Sequence, residues 1–394
     1  VSTRKTNGPL LVDCTASALR GNEAWQDQIL RGLNYWMERM EDNGDTYYEG
    51  HSGLAVGDVN GDGLDDVYLA QERGLPNRLF LQNPDGTVRD ASAEAGVDWL
   101  DESHGVLLVD LDNDADQDLV ITIPQGVLLA ANDGTGRFQM KTVLEAAITP
   151  LSLCAADYDA DGRLDIYVCG YSDPLTSEGG MGPVIDVEQF VYHDSNSGAP
   201  NRLFRNRIGE DGSWAFDDVT AAVGLDRNNR RYSFVAVWED VDNDGDQDLY
   251  VANDYGRNNL YRNDGGTFVD IAGPARAEDS ASGMGVTWGD IDRDGHMDLY
   301  VANMYSTAGS RITRQAGFKQ DASEEVRARL RRFSKGNTLL RNVGDSTFED
   351  VSEAAGVTMG RWSWSANFAD LNNDGWEDLI VANGFISGTD SGDL

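Results

Sequence analysis

Sulfur, imidazole and positive charge are all scarce in this chain of 394 residues. It holds 3 cysteines, 4 histidines, and 31 Lys plus Arg against 68 Asp plus Glu, giving a formal net charge of −37. Cys154 and Cys169 flank one acidic loop almost symmetrically and could face each other across the two strands it joins. A disulfide and a pair of buried free thiols are both open there, and Cys14 is left over. The histidines, His51, His104, His193 and His296, are scattered, with no persuasive Ser-His-Asp or Cys-His order and no G-x-S-x-G elbow. The acidic balance argues against nucleic acid or an anionic membrane as the main partner. No run of eighteen apolar residues exists to span a bilayer. Val1 begins no secretory leader, so a mature or trimmed product is expected.

What the chain has in abundance is a recurring pattern of carboxylates. Its fullest copy, Asp240-Val-Asp242-Asn-Asp244-Gly245-Asp-Gln-Asp248, carries acids at positions one, three, five and nine and glycine at six. Acids this close repel one another unless the loop curls them around a cation. Ca²⁺ takes about six to eight oxygens from a flexible cage, and the glycine allows the sharp turn such a loop needs. Five more copies follow the same spacing. The candidate ligands are Asp58, Asn60, Asp62 and Asp66 in loop 1, and Asp110, Asp112, Asp114 and Asp118 in loop 2. Loop 3 offers Asp157, Asp159, Asp161 and Asp165, and loop 4 offers Asp240, Asp242, Asp244 and Asp248. Asp290, Asp292, Asp294 and Asp298 make loop 5, and Asp370, Asn372, Asp374 and Asp378 make loop 6.

About six Ca²⁺ ions are therefore expected, against the alternative of acidic surface turns without metal. The candidate ligands include 22 of the carboxylates, so much of the acidic excess is ligand rather than solvated surface. Ala115 departs from the glycine rule, and loop 2 should be strained or weaker there. An EF-hand does not fit. That motif needs a glutamate at position twelve and flanking helices, whereas these flanks are β-rich runs such as Gly-Val-Thr-Trp-Gly and Leu-Tyr-Val-Ala-Asn.

A unit repeats from residue 50 onward. An apolar strand leads into the loop, then comes a strand of the Asp-Leu-Tyr-Val-Ala-Asn type. A third strand follows, at Asn77–Phe80, Asn201–Phe204, Asn259–Tyr261 and Asn337–Leu340, and a Phe-x-Asp strand at Phe216, Phe268 and Phe348 ends the unit. Turns such as Asn263-Asp-Gly-Gly266 suit tight hairpins. Four short antiparallel strands with a period near fifty predict an all-β fold, a β-propeller of four-stranded blades. Six blades are counted directly and seven are possible. The loops start 52, 47, 83, 50 and 80 residues apart, so the two long intervals contain insertions at about 171–200 and 303–335. The second carries a capped helix with Arg327, Arg329, Arg331, Arg332 and Lys335, either docked on its own acidic surface or offered to an anionic partner. Residues 1–49 form a separate region packed on the propeller of residues 50–394. It is expected to hold a strand at Leu10–Thr15 and an amphipathic helix over Ala16–Met40, interrupted near Gly21.

The order Asn-Arg-Leu-Phe-Arg-Asn, Phe-x-Asp-Val-Thr, Ala-Gly-Val or Val-Gly-Leu, then Gly-Asp-x-Asp-x-Asp-Gly and Asp-Leu-Tyr-Val-Ala-Asn resembles FG-GAP and VCBS repeats. It is similar in particular to the bacterial relatives of cartilage acidic protein, and more distantly to the integrin α-subunit propeller. The resemblance covers about residues 50–386. It implies a Ca²⁺-bearing propeller in an extracytoplasmic setting (secreted, periplasmic or cell surface), the loop residues above as metal ligands, and no catalytic residues. The UnbV-type domain that often ends such proteins has no counterpart before Leu394, which leaves open whether the chain is the full gene product.

The leading expectation is a non-catalytic module that binds a protein or glycan partner. A polysaccharide lyase or hydrolase is the second, with Tyr192, His193 and Arg230–Tyr232 as candidate groups for a base. A structural subunit of a larger assembly is the third.

Overall fold

The computed structural model describes residues 11–37, 39, 53–124, 126–146, 149–172, 194–209 and 211–383. The protein is mostly β, and its strands follow one another as antiparallel sheets in chain order. The first sheet comprises Leu54–Gly57, Asp66–Leu69, Arg78–Gln82 and Val88–Asp90, and the second comprises Val106–Val109, Asp118–Ile123, Gly126–Asn132 and Phe138–Glu145. The third runs through Thr149–Ala156, Asp165–Ser172, Arg202–Asn206 and Phe216–Asp218. Next come Ser233–Glu239, Asp248–Asn253, Asn259–Asn263 and Phe268–Asp270, then Gly283–Gly289, Asp298–Asn303, Thr338–Asn342 and Phe348–Asp350. The sixth pairs Ser363–Ala369 with Asp378–Asn383.

Each acidic loop joins the first strand of a sheet to the second. The residue just before the loop faces the loop's ninth-position aspartate, as Gly57 faces Asp66, Val109 faces Asp118, Glu239 faces Asp248 and Gly289 faces Asp298. One register therefore closes the loops. The second strands are sheet interiors: all six residues of Asp248–Asn253 and of Asp298–Asn303 are buried. Such strands read as near-continuous Val, Leu and Tyr runs because both faces are covered.

The chain groups into two compact units. One contains 1–153, 173–184 and 206–217, and the other 154–172, 185–205 and 218–394. The core of the first joins Tyr68, Leu79 and Leu81 of its first sheet to Leu108, Leu119 and Ile121 of its second. In the other unit, one core gathers Tyr167, Leu203, Leu249 and Tyr261, and another gathers Tyr250, Leu260, Leu299 and Leu340.

The amino-terminal expectations need correction. No strand forms at residues 11–14, and Thr15–Leu19 is a short helix. Asp13 Oδ1 accepts the Thr15 N–H at 2.9 Å and Ser17 Oγ donates to the Cys14 carbonyl at 2.7 Å. These local bonds offer the backbone an alternative to a ladder. The long helix is likewise broken into Glu23–Asp27, a 3₁₀ turn at Ile29–Arg31, and Gly32–Met37, with Gly32 at φ +70°. This segment is tied to the first sheet. Asn22 Nδ2 donates to the Val88 carbonyl at 2.8 Å, and Arg78 Nε donates to Gln28 Oε1 at 2.8 Å. Cys154 and Cys169 are thiols, with no disulfide between them.

The first insertion lies mostly outside the described residues. The second forms two helices, Thr307–Thr313 and Glu324–Phe333, capped by Ser306 and Ser323. Its basic residues from Arg327 to Lys335 are already paired. Arg327 and Arg331 pair with Glu324, Arg329 with Glu325 and Asp194, and Lys335 with Asp350. Asp194 receives three guanidiniums, from Arg231 and Arg257 at 3.0 Å and Arg329 at 2.6 Å. Burial alone would raise its carboxyl, but the arginines outweigh that and hold it below the ordinary carboxylate range. Arg332 reaches the buried Asp279 at 2.6 Å, where Thr338 Oγ1 (2.6 Å) and Asn303 Nδ2 (2.8 Å) also donate. The helix is thus docked on the protein's own acids. Arg332→Leu leaves Asp279 buried without its cation and is expected to cost about 3 kcal/mol, because a half-removed buried pair strands a charge. Denaturant unfolding measures this, and a loss under about 0.5 kcal/mol would show that Asp279 does not depend on the helix.

Candidate metal centres

The six loops share one hydrogen-bond plan. The first aspartate accepts from the backbone N–H groups of positions five and six, at 2.9–3.2 Å and 2.7–3.0 Å. The fifth accepts from the N–H of position seven at 2.9–3.2 Å. The ninth accepts from the N–H of position two at 2.9–3.4 Å. These bonds curl the chain so that its carboxylates converge.

Two positions pay for that curl with left-handed backbone. Position six has φ between +75° and +96° in every loop, and position four has φ between +55° and +71°. Glycine fills position six except at Ala115, φ +75°, the site whose strain the sequence predicts. Position four is Gly61, Asn113, Ala160, Asn243, Arg293 or Asn373, and its requirement was not anticipated from the sequence. Asparagine tolerates this region better than most residues, which accounts for three of the six. Ala115→Gly is expected to stabilise the protein by about 1 kcal/mol through relief of this strain. A melting temperature unchanged or lowered by that substitution would contradict the account.

In loops 2, 3 and 4 the carboxylates of positions one, three and nine lie within 4.8 Å of one another: Asp110, Asp112 and Asp118; Asp157, Asp159 and Asp165; Asp240, Asp242 and Asp248. In loop 5 the grouped acids are Asp290, Asp292 and Asp294. Loops 1 and 6 carry Asn60 and Asn372 at position three. Asn60 Oδ1 accepts the Asp62 N–H at 2.9 Å, and Asn372 Nδ2 donates to Asp378 Oδ2 at 3.3 Å.

The residues fit a cation on a specific observation. Oδ1 of Asp112, Asp159 and Asp242 is buried and has no hydrogen-bond partner, at the same third position in three loops. A buried anionic oxygen left unpaired costs free energy that a cation there would remove. The donors are all oxygens, which suits a hard divalent ion. Loop 3 differs in one respect: Arg205 Nη2 lies 2.6 Å from Asp159 Oδ2 and 3.0 Å from Asp161 Oδ2, so part of its charge is already balanced.

Burial dominates the titration of the ninth-position acids in loops 1, 2, 4 and 5. It pushes Asp118 and Asp248 up to about 7 and Asp298 up to about 6, with backbone donors opposing and neighbouring carboxylates adding to the rise. In the metal-free protein these folded-state values exceed the unfolded ones. The resulting stability is complete below the unfolded pKa and is lost as pH rises through 6 to 7. Under chelation the melting temperature should therefore rise between pH 8 and pH 6. With saturating metal it should not, because protons then compete with the ion. A chelated melt that falls over this window would refute the assignment.

The other candidate groups do not converge. His51, Tyr192 and His193 lie outside the described residues. His104 Nε2 is 3.0 Å from Glu102 Oε1, and His296 accepts from Asn243 Nδ2 at 3.1 Å in loop 5. Arg230 is exposed, Arg231 is buried against Asp194, and Tyr232 is buried at φ +59° with Tyr171 and Tyr255 packed edge-on against its ring. The residues that sequence reasoning missed are Asn132, Asn206, Asn263 and Asn342, which close the third strands. Their recurrence as the last residue of Arg-Asn or Ala-Asn was the available signal.

A profile of the FG-GAP-like repeat matches residues 58–121, 110–168, 240–301 and 328–381, more than half of the chain and including all six loops. The chain belongs to the FG-GAP-like repeat family. Human cartilage acidic protein 1 is 26% identical over 237 residues, covering 57% of this chain and 31% of that protein. Its Xenopus tropicalis counterpart is 32% identical over 146 residues, covering 35% and 22%. The chain thus matches under a third of the length of these curated relatives. Among solved structures, an Agrocybe aegerita lectin that recognises non-reducing terminal N-acetylglucosamine aligns at TM-score 0.44 and 18% identity over 83% of this chain and 73% of its own. A Bacillus licheniformis rhamnogalacturonan lyase aligns at TM-score 0.34 and 14% identity, over 83% and 64%.

Proposed function

We propose that this FG-GAP-repeat protein is a calcium-binding β-propeller, spanning residues 50–394, that acts outside the cytoplasm as a non-catalytic module for binding a protein or glycan. The observation that carries it is the unpartnered third-position oxygen in loops 2, 3 and 4. Asp58, Asn60, Asp62 and Asp66, with the corresponding residues of the other five loops, would hold the ions, about six in all. Calcium would neutralise the clustered acids and fix each hairpin, leaving strand ends and insertions as a stable surface for a partner. Millimolar calcium is met outside the cytoplasm, which supports an extracytoplasmic setting. Residues 1–49 would brace the propeller through contacts such as Asn22 to Val88.

Of the described groups considered for lyase chemistry, Arg231 and Tyr232 are engaged in an ion pair or packing, and Arg230 is exposed. Arg231 is paired with Asp194, and Tyr232 is enclosed by aromatic rings. Binding therefore fits better than turnover. Each loop filled about a hundredfold above its Kd stabilises the fold by about 2.7 kcal/mol. Chelation should accordingly lower the melting temperature by more than about 10 °C, with calcium restoring it. An unchanged melt in EDTA would end the calcium reading. A glycan array followed by product analysis separates binding from hydrolysis or elimination, and released oligosaccharide would establish an enzyme instead.

A further inference from the structure

We infer that the asparagine ending the third strand ties each metal loop to the loop of the preceding repeat, so that neighbouring loops fill together rather than one by one. The inference rests on the calcium reading above and adds a coupling between sites. The geometry recurs four times. Asn132 Nδ2 donates to the Val59 carbonyl at 2.8 Å, and Asn206 Nδ2 to that of Leu111 at 2.8 Å. Asn263 Nδ2 donates to the Tyr158 carbonyl at 2.8 Å, and Asn342 Nδ2 to that of Val241 at 2.9 Å. The acceptor is always the second loop position, which lies between the ligands at positions one and three. Its peptide plane therefore turns with the metal-holding carboxylates on either side.

Three of these asparagines also hold their own loops. The N–H groups of Asn132, Asn263 and Asn342 donate to Oδ1 of the ninth-position acids Asp118, Asp248 and Asp298, at 3.0, 2.7 and 2.8 Å. Asn132 and Asn263 also donate from Nδ2 to the eighth-position carbonyls of Gln117 and Gln247, at 3.0 and 3.2 Å. One side chain thus touches the backbone of two loops while its main chain anchors a ligand of the second. All four asparagines are at most 7% exposed, so no water stands ready to replace a lost partner. Further contacts join loops 4, 5 and 6 directly. Asn243 donates to His296 Nδ1 at 3.1 Å, and the Arg293 guanidinium stacks 3.9 Å above the Trp376 ring. A loop ordered by its ion presents a fixed carbonyl to the next repeat, which lowers the ordering cost of the next site; that is positive coupling without a large conformational change.

The test removes one ion and watches the neighbouring loop. Asp242→Asn deletes a loop 4 ligand whose Oδ1 makes no hydrogen bond, and it leaves Asn263 in place. Hydrogen exchange of the loop 3 peptide, about residues 155–165, is followed across a calcium titration. The expected result is a loop 3 midpoint raised about fivefold or more, the lower range of ordinary site–site coupling. In an Asn263→Leu background the loop 3 midpoint should already be raised, and Asp242→Asn should then shift it less than about twofold. If Asn263→Leu does not fold, Asp292→Asn read at loop 4, through Asn342, repeats the measurement without touching any asparagine. A loop 3 midpoint unmoved by Asp242→Asn, while loop 4 alone loses protection, overturns the coupling and leaves the calcium reading intact. No calcium-dependent protection at any loop of the parent protein overturns the calcium reading itself.

Discussion

The constraint on which the repeats turn is the carboxylate buried beneath the hairpin turn in loops 1 to 5. In loops 4 and 5 the ninth-position aspartate starts a fully buried strand, where one oxygen takes a loop N–H and the other takes an N–H from the third strand. It therefore fastens the turn to the sheet and faces the loop's other acids at once. A charge so placed is costly unless donors and a cation share it or a proton neutralises it. The sheet cannot do without that aspartate, and the aspartate is costly without an ion. On the proposed calcium reading, stability and metal affinity would be one property of the repeat.

The parts that were legible in the sequence are those whose chemistry is local. Carboxylates spaced one, three, five and nine with glycine at six could hardly be anything but a curled loop, and the loops lie where the spacing puts them. The helix at Glu324–Phe333 announced itself through Ser323 and two acids in its first turn. The amino-terminal strand misled because a short apolar run, Leu10-Leu-Val, looks alike in a strand or before a helix; Asp13 and Ser17 decided the matter through bonds two and three residues long.

What stayed hidden were relations between repeats. Nothing in the pair Arg262-Asn263 says that the amide will reach a carbonyl 105 residues earlier in the chain. The charge run of the second insertion was ambiguous for the same reason. Its arginines look like an offer to a partner until Asp194 and Asp279, distant in sequence, are placed beside Arg329 and Arg332. Left-handed backbone at the fourth loop position was also obscured, since Gly, Asn, Ala and Arg share no side-chain property that marks it.

The stacking of Arg293 on Trp376 gives the protein a built-in optical gauge. The indole belongs to loop 6 and its cationic cover to loop 5, and the ring remains about half exposed. Tryptophan emission responds to nearby charge and to solvent, so this one residue should change colour and brightness as the two turns tighten or relax. The two turns thereby share a native fluorophore, with no label attached.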